Sequence, residues 1–311
     1  MVIGGWNMRG GVLAHVEVID PKPGSLCSRV EVAPLPSPRR GLVAEWVNGR
    51  VVACGGVNET AEANLCWAYD PLANAWVENH YTGAGGGLAV ERHFASSTVA
   101  KSKMYVLGGR DGRVKPMAIG SVESINGVQW MEEELELTQE RAYHCATSID
   151  DDTIVMTGGY SYNSVIGVTQ AYNLSSPDPR WERVGQGNLN YPRYLHACSQ
   201  LPLSPGGLVG VIVAGGYSTR YLRSAEVYDP QTGAWMETGE MSVPRQGAGM
   251  AVLNGRPTVF GGFHSMTEFP ASVEQYDVET GSWIRLHRTE MAVPRRYFAV
   301  ASVPRTLFGS C

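Results

Sequence analysis

Six times along this chain a short apolar run ends in Gly-Gly: at Gly4-Gly5, Gly55-Gly56, Gly108-Gly109, Gly158-Gly159, Gly215-Gly216 and Gly261-Gly262. Successive first glycines lie 51, 53, 50, 57 and 46 residues apart. Self-similarity at a period near fifty marks an array of supersecondary units, none of which can bury its apolar face alone. A length of 311 residues would by itself admit one large domain or two ordinary ones. The repeat runs from end to end, which favours one closed array.

Alignment on the glycines brings out the rest of the unit. The runs leading into Gly-Gly, at 51–54, 104–107, 153–157, 211–214 and 258–260, are β-branched and aromatic and read as strands. A polar loop follows, then a second strand ending in Tyr69-Asp70, Tyr228-Asp229 or Tyr276-Asp277, with Tyr172-Asn173, Ile125-Asn126 and Ile19-Asp20 as variants. A turn such as Asp229-Pro-Gln-Thr-Gly233 comes next. Then comes a tryptophan (Trp76, Trp130, Trp181, Trp235, Trp283) and finally an arginine (Arg39, Arg92, Arg141, Arg193, Arg245, Arg295) that opens the following strand. Each unit therefore holds four strands, which is one propeller blade. The glycines are expected where neighbouring backbones approach too closely for a side chain. The aromatics are expected to pack between sheets.

The expected fold is all-β: a six-bladed propeller of four-stranded antiparallel blades. Blade 1 comprises 1–33 plus 292–305, and blades 2 to 6 comprise 38–79, 91–134, 140–186, 192–239 and 244–290. The chain starts on a Gly-Gly strand and ends on an innermost one, Pro294-Arg295-Arg296-Tyr297 onward. The C-terminal strand should pair with residues 1–5 and close the ring, leaving no sheet edge. Residues 306–311 are expected to be loose.

Gly-Gly, Tyr-Asp, Trp and Pro-Arg in this order, five or six times over, resemble the kelch repeat. The resemblance covers the whole chain and is strongest to the kelch domain of BTB-kelch (Kelch-like) ubiquitin-ligase adaptors. The departures are local. The first unit lacks its tryptophan, with Leu26 or Cys27 in its place. The third has Ser124-Ile125-Asn126 for Tyr-Asp, and the loop before the fifth Gly-Gly carries the insertion 201–207.

The bulk composition narrows the function. A formal charge of −5 argues against a general nucleic-acid binder. No apolar stretch reaches the eighteen or so residues of a membrane span. Six cysteines are too sparse for a disulfide scaffold and form no CxxC pair, so neither such a scaffold nor zinc is expected. Cys54 and Cys66 fall at positions whose counterparts in other units match in size and polarity, as cross-strand neighbours do. They should face each other, close enough to bridge; two buried thiols in a reducing cytosol is the favoured expectation. Asn58-Glu-Thr60 and Asn173-Leu-Ser175 are glycosylation sequons that matter only in a secreted chain.

In an up-and-down blade, the loop after Gly-Gly and the link after the repeat arginine open on one face, around the channel mouth. By resemblance to the ligase adaptors, these two sets line a substrate-peptide pocket. Carried onto this chain, the partner-binding residues are Trp6, Arg40, His93, Arg110, Tyr160, Tyr194, Tyr217, Gln246, Phe263 and Arg296. Aromatic residues with arginine are the usual anchors of a binding hot spot. Such a mouth suits an acidic peptide or protein ligand. The repeat arginines themselves recur in all six units and read as structural, as do His144 and His196. Arg113, Lys115, Arg220 and Arg223 read as a solvated rim.

The expectation is a monomeric protein-interaction module without cofactor, cytoplasmic with secretion as the alternative, recognising substrate for a cullin-type ubiquitin ligase. Cullin recruitment would need the BTB and BACK domains, absent from these residues. Two alternatives stand beside it: an actin-binding kelch protein, and a sialic-acid mutarotase-like enzyme whose arginine-lined pocket takes a sugar carboxylate. The Tyr/His/Cys set of copper radical oxidases and the Glu/Asp/His run of iron-dependent specifier proteins do not occur.

Overall fold

The structure is a computed structural model that describes residues 1–22, 25, 27, 30–58, 64–78, 87–112, 117–125, 130–133, 135–204, 207–265 and 267–309. Six antiparallel sheets of these residues stand around a central channel. Blade 2 comprises Val43–Val47, Arg50–Cys54, Cys66–Asp70 and Ala75–Glu78, and blade 3 Ser96–Ala100, Lys103–Leu107, Val122–Ile125 and Trp130–Glu133. Blade 4 runs Cys145–Ser148, Thr153–Thr157, Val168–Asn173 and Trp181–Asn188, and blade 5 Ala197–Pro202, Val209–Ala214, Ala225–Asp229 and Ala234–Thr238. Blade 6 is Gly249–Leu253, Arg256–Phe260, Ser272–Asp277 and Ser282–Glu290.

Blade 1 is made from both ends of the chain. Ala299–Val300 pairs with Val2–Ile3, which pairs with Val16–Glu17. The Met1 ammonium donates to the Ala301 carbonyl at 2.7 Å and continues the seam. Three strands are described here instead of the expected four, in the unit that lacks the repeat tryptophan. The expected looseness of the terminus does not hold through Phe308. Arg305–Phe308 is a 3-10 turn whose Leu307 and Phe308 pack on the core of blades 1 and 2, and Arg305 reaches Asp20 at 2.8 Å. Residues 310 and 311 lie outside the described residues.

The Gly-Gly pairs are the junctions between blades. Gly56 donates its N–H to the carbonyl of Arg92 in the next blade at 3.0 Å, and every other pair repeats that bond. A Cβ on Gly55 would sit 2.6 Å from the same oxygen, and Gly55 has φ +67°. Only glycine meets both conditions. Each strand-end tyrosine lies opposite its tryptophan in register, with ring centroids 5.3 to 5.4 Å apart in blades 2, 4, 5 and 6.

The repeat arginines are buried, as expected of structural residues. Arg193 donates to the carbonyls of Gly215 and Ser224 and to Glu226. Glu226 in turn accepts the N–H groups of Asn190 and Tyr191, tying the incoming linker down. Arg92–Glu123, Arg245–Glu274 and Arg295–Glu17 repeat the device. In blade 4 a neutral amide, Gln170, stands in place of the acid, and burial without a carboxylate partner pushes the Arg141 pKa down to about 10. In blade 2 the position is Trp67, whose ring lies 5.2 Å from the Arg39 guanidinium carbon.

Candidate functional site

The two loop sets meet residue by residue. The residue after each repeat arginine bridges the residue after that blade's Gly-Gly: Arg296 with Trp6, Arg40 with Val57, His93 with Arg110, Ala142 with Tyr160, Tyr194 with Tyr217, and Gln246 with Phe263. Each pair exchanges two backbone hydrogen bonds. Three loops rise beyond these bridges as short ribbons: Trp6–Asn7 with Gly11–Val12, Arg110–Asp111 with Met117–Ala118, and Tyr160–Ser161 with Ser164–Val165.

A cavity of about 650 Å³ occupies the mouth. Seven of the ten sequence-derived residues line it: Arg40, His93, Arg110, Tyr160, Tyr194, Gln246 and Arg296. Trp6, Tyr217 and Phe263 do not. They belong to an arc of rings running Tyr160, Tyr194, Tyr217, Tyr221, Phe263, Phe269, Trp6, with successive centroids 5.2 to 6.1 Å apart. Phe263 is buried and serves as packing.

The arginines are not equivalent. Arg296 lies within four rings, its guanidinium carbon 3.9 Å from the centroid of Phe263, 4.5 Å from Trp6, 4.7 Å from Tyr297 and 5.7 Å from Phe269. Burial lowers its pKa from the ordinary arginine value. Arg110 donates to the Tyr143 hydroxyl at 2.9 Å. Burial first, then the charges of Arg110 and Arg40, push the His93 imidazole down to about 4, so it is neutral at pH 7. The mouth thus brings Arg40, His93 and Arg110 of blades 2 and 3 together with Tyr143, Tyr160 and Tyr194 of blades 4 and 5, and Arg110 reaches Tyr143 directly. Arg223 pairs with Glu240 at 2.6 Å on the rim. Arg113 and Lys115 lie outside the described residues.

The floor was missed from the sequence. It is built by the residues two after each repeat arginine: Gly41, Phe94, Tyr143, Leu195, Gly247 and Tyr297. All six have φ between 52° and 66°. Each donates its N–H to the carbonyl of the one before, and Gly41 donates to Tyr297, so six backbone hydrogen bonds of 2.7 to 3.0 Å close a belt around the channel. The rings of Phe94, Tyr143 and Tyr297 cover it, with centroids 4.7 and 5.1 Å from Phe94. A Cβ at Gly41 would meet the Phe94 ring, and one at Gly247 the Tyr297 ring. The column reads Gly, Phe, Tyr, Leu, Gly, Tyr, a mixture that carries no regular pattern in the sequence. A second cavity of about 470 Å³ lies along the innermost strands, with Glu45, Ser97, Ser148 and Gln200 in its wall.

Cys54 and Cys66 are joined by a disulfide rather than left as thiols. A second bridge, unforeseen, joins Cys145 to Cys198 on the innermost strands of blades 4 and 5. Among the described residues no group of three His, Cys, Asp or Glu side chains could hold a metal ion.

Against known proteins, the Kelch motif matches residues 38–78, 211–242 and 244–286. The chain carries kelch repeats folded as a six-bladed propeller. It is 26% identical over 225 residues to Alpha-scruin of Limulus polyphemus, covering 68% of this chain and 21% of that protein. It is 23% identical over 212 residues to Kelch-like protein 36 of Mus musculus, covering 66% of this chain and 32% of that one. An F-box/kelch-repeat protein of Arabidopsis thaliana is 30% identical over 120 residues, 38% of this chain and 30% of its own. The chain thus spans about a third or less of the length of these relatives. The solved structure of YjhT superposes with a TM-score of 0.69 at 14% identity, covering 82% of this chain and 86% of that one, a likeness of fold. No helix of the described residues is long and apolar enough to cross a membrane.

Proposed function

We propose that this propeller is a binding module, not a catalyst, and that its mouth takes a segment of a protein or peptide partner. An acidic side chain of the partner sits between Arg40 and Arg110, and an apolar one lies against Tyr160 and Tyr194. The observation that carries this reading is the lining of the mouth: the guanidinium groups of Arg40 and Arg110, the neutral imidazole of His93, and the rings of Tyr160 and Tyr194 share one cavity. Charge-assisted hydrogen bonds to a carboxylate gain strength in such a partly dry site.

The finer role implied by likeness to the Kelch-like proteins, substrate recognition for a cullin-type ligase, would use this same mouth. So would actin binding. Titration of fluorescent acidic peptides against the wild-type propeller and the Arg40→Ala/Arg110→Ala pair tests the binding reading; equal affinity for both proteins would overturn it. Acceleration of sialic-acid mutarotation, followed by NMR, would overturn it in favour of the enzyme.

A further inference from the structure

We propose that this chain folds in an oxidising compartment and that Asn173 is its N-linked glycosylation site. The proposal goes beyond the binding reading. It keeps the mouth as a binding site but moves it from cytosol to a lumen or the cell exterior, a setting that replaces the cullin-ligase and actin roles with a partner of that compartment.

The first support is the pattern of cysteine use. No cysteine of the described residues is free. Cys54 and Cys66 are in direct cross-strand register. The same register position holds Ile3 and Val16, Leu107 and Val122, Thr157 and Thr169, Ala214 and Ala225, and Phe260 and Val273 in the other blades. Cysteine enters this position in one blade only, and there on both strands. The second pair behaves alike. Four residues after the repeat arginine stand Val43, Ser96, Cys145, Ala197, Gly249 and Ala299; five after stand Ala44, Ser97, Ala146, Cys198, Met250 and Val300. Cysteine appears once in each column, in adjacent blades, where the two side chains meet. With six cysteines in 311 residues, any one neighbouring position would hold cysteine by chance roughly once in fifty. Cysteines kept merely as small core residues would not arrive in touching pairs. Cys54 and Cys66 are fully buried, which suits structural bridges and not exchanging thiols. Such bridges persist where the environment is oxidising. Each forms when a thiol pair gives up two protons and two electrons to a disulfide oxidant of that compartment, which leaves as a dithiol.

The second support is independent of sulfur. Asn173-Leu174-Ser175 lies at the end of the third strand of blade 4, with Asn173 and Ser175 exposed. The Asn173 Oδ1 accepts the Ser175 N–H at 2.8 Å. In blades 2, 5 and 6 the same turn is opened by Asp70, Asp229 and Asp277 through the same bond. An acid would therefore serve the fold equally well at 173, and the amide is free for another use. In glycosylation, Nδ2 of Asn173 bonds to the sugar's anomeric carbon, the sugar–phosphate bond of a lipid-linked oligosaccharide breaks, and the lipid pyrophosphate leaves while the amide gives up a proton. Asn173 pairs with Thr153, at the opposite end of the strand from Gly158, so a glycan there stands clear of the mouth. Asn58, the other sequon asparagine, lines the mouth cavity itself.

The test uses the protein isolated from its source, denatured and alkylated before and after reduction, with and without N-glycosidase, and read by peptide mass spectrometry. The expected result is no alkylation of Cys54, Cys66, Cys145 or Cys198 before reduction, and conversion of residue 173 to aspartate by the glycosidase. Alkylation of these cysteines without reductant would overturn the compartment. An Asn173 peptide of unmodified mass would overturn the glycan. On the secreted recombinant chain, Asn173→Asp keeps the turn and should abolish a single-glycan mobility shift; a persisting shift would count against Asn173. Neither readout involves a partner, so failure here leaves the mouth reading separately testable.

Discussion

Arg193 and Glu226 meet at 2.7 Å with neither side chain exposed to solvent. The glutamate serves two masters, since the oxygen facing the guanidinium also faces the linker amide of Tyr191 while the other accepts Asn190. Removing one member of a buried ion pair strands the other charge and costs about 3–5 kcal/mol. Glu226→Ala should lose stability of this order in denaturant titration at unchanged m-value. Glu226→Gln, which copies the Gln170 of blade 4, should lose clearly less.

The two disulfides whose halves both lie among the described residues close loops of different length, with sequence separations of 53 for Cys145–Cys198 and 12 for Cys54–Cys66. Loop-closure entropy then assigns about 4 kcal/mol to the first and about 3 kcal/mol to the second. Paired serine substitutions at each bridge, melted in parallel with the oxidised wild type, should reproduce that order, with the inter-blade bridge the larger. Melting of both paired variants at the wild-type temperature would show that neither bridge contributes.

Acid should destabilise the fold, and the sign follows from three histidines. Burial pushes His196 down to about 3 and His93 to about 4, and holds His144 well below the ordinary 6.5. The unfolded chain takes up protons at 6.5 that the folded chain refuses. Stability is therefore complete above 6.5 and drains as pH falls toward the folded values, at up to about 1.4 kcal/mol per pH unit per histidine. Burial of the Met1 ammonium, lowered to about 5, acts in the same direction between 8 and 5. Glu45 opposes them. Half-buried in the wall of the second cavity and accepting a bond from Ser97 at 2.8 Å, it is raised to about 7 by desolvation, so its cost grows as pH rises from the ordinary carboxylate range through 7. Glu45→Gln should stabilise the protein at pH 8 and leave it unchanged at pH 4, as read from denaturation midpoints at the two pH values.

The mouth arginines should separate into two kinds. Arg40→Ala and Arg110→Ala should weaken an acidic peptide about tenfold or more with little change in Tm. Arg296→Ala should instead lower Tm by a few degrees, because it removes the cation held among Trp6, Phe263, Phe269 and Tyr297. Calorimetry and peptide titration on the three single variants would expose the reverse pattern if the assignment is wrong.

What the sequence made legible was whatever recurs. Six Gly-Gly pairs carried the blade number and the ring closure, and the residue following each glycine pair marked the mouth. The glutamate partner of four of the six repeat arginines also recurs, in three units as Ser121-Val-Glu, Ser224-Ala-Glu and Ser272-Val-Glu, but a charged residue within a strand reads by default as solvent-facing. Its role appears only when the arginine is seen to be buried. The Cys145–Cys198 bridge escaped because its halves occupy adjacent columns of two different repeats, 53 residues apart, and meet only when neighbouring blades are packed. The floor escaped because nothing in a tyrosine or phenylalanine announces a left-handed backbone. Trp6, Tyr217 and Phe263 stand in the right column but turn to their neighbours' rings, since large apolar side chains at a rim bury one another first.

The belt of hydrogen bonds through Gly41, Phe94, Tyr143, Leu195, Gly247 and Tyr297 narrows the propeller to a neck at this end, one residue from each blade. The rings of Phe94, Tyr143 and Tyr297 crowd that neck further. A partner must therefore offer a tip, such as a loop apex, a chain end or a single long side chain, and the propeller reads that tip rather than the length of a strand.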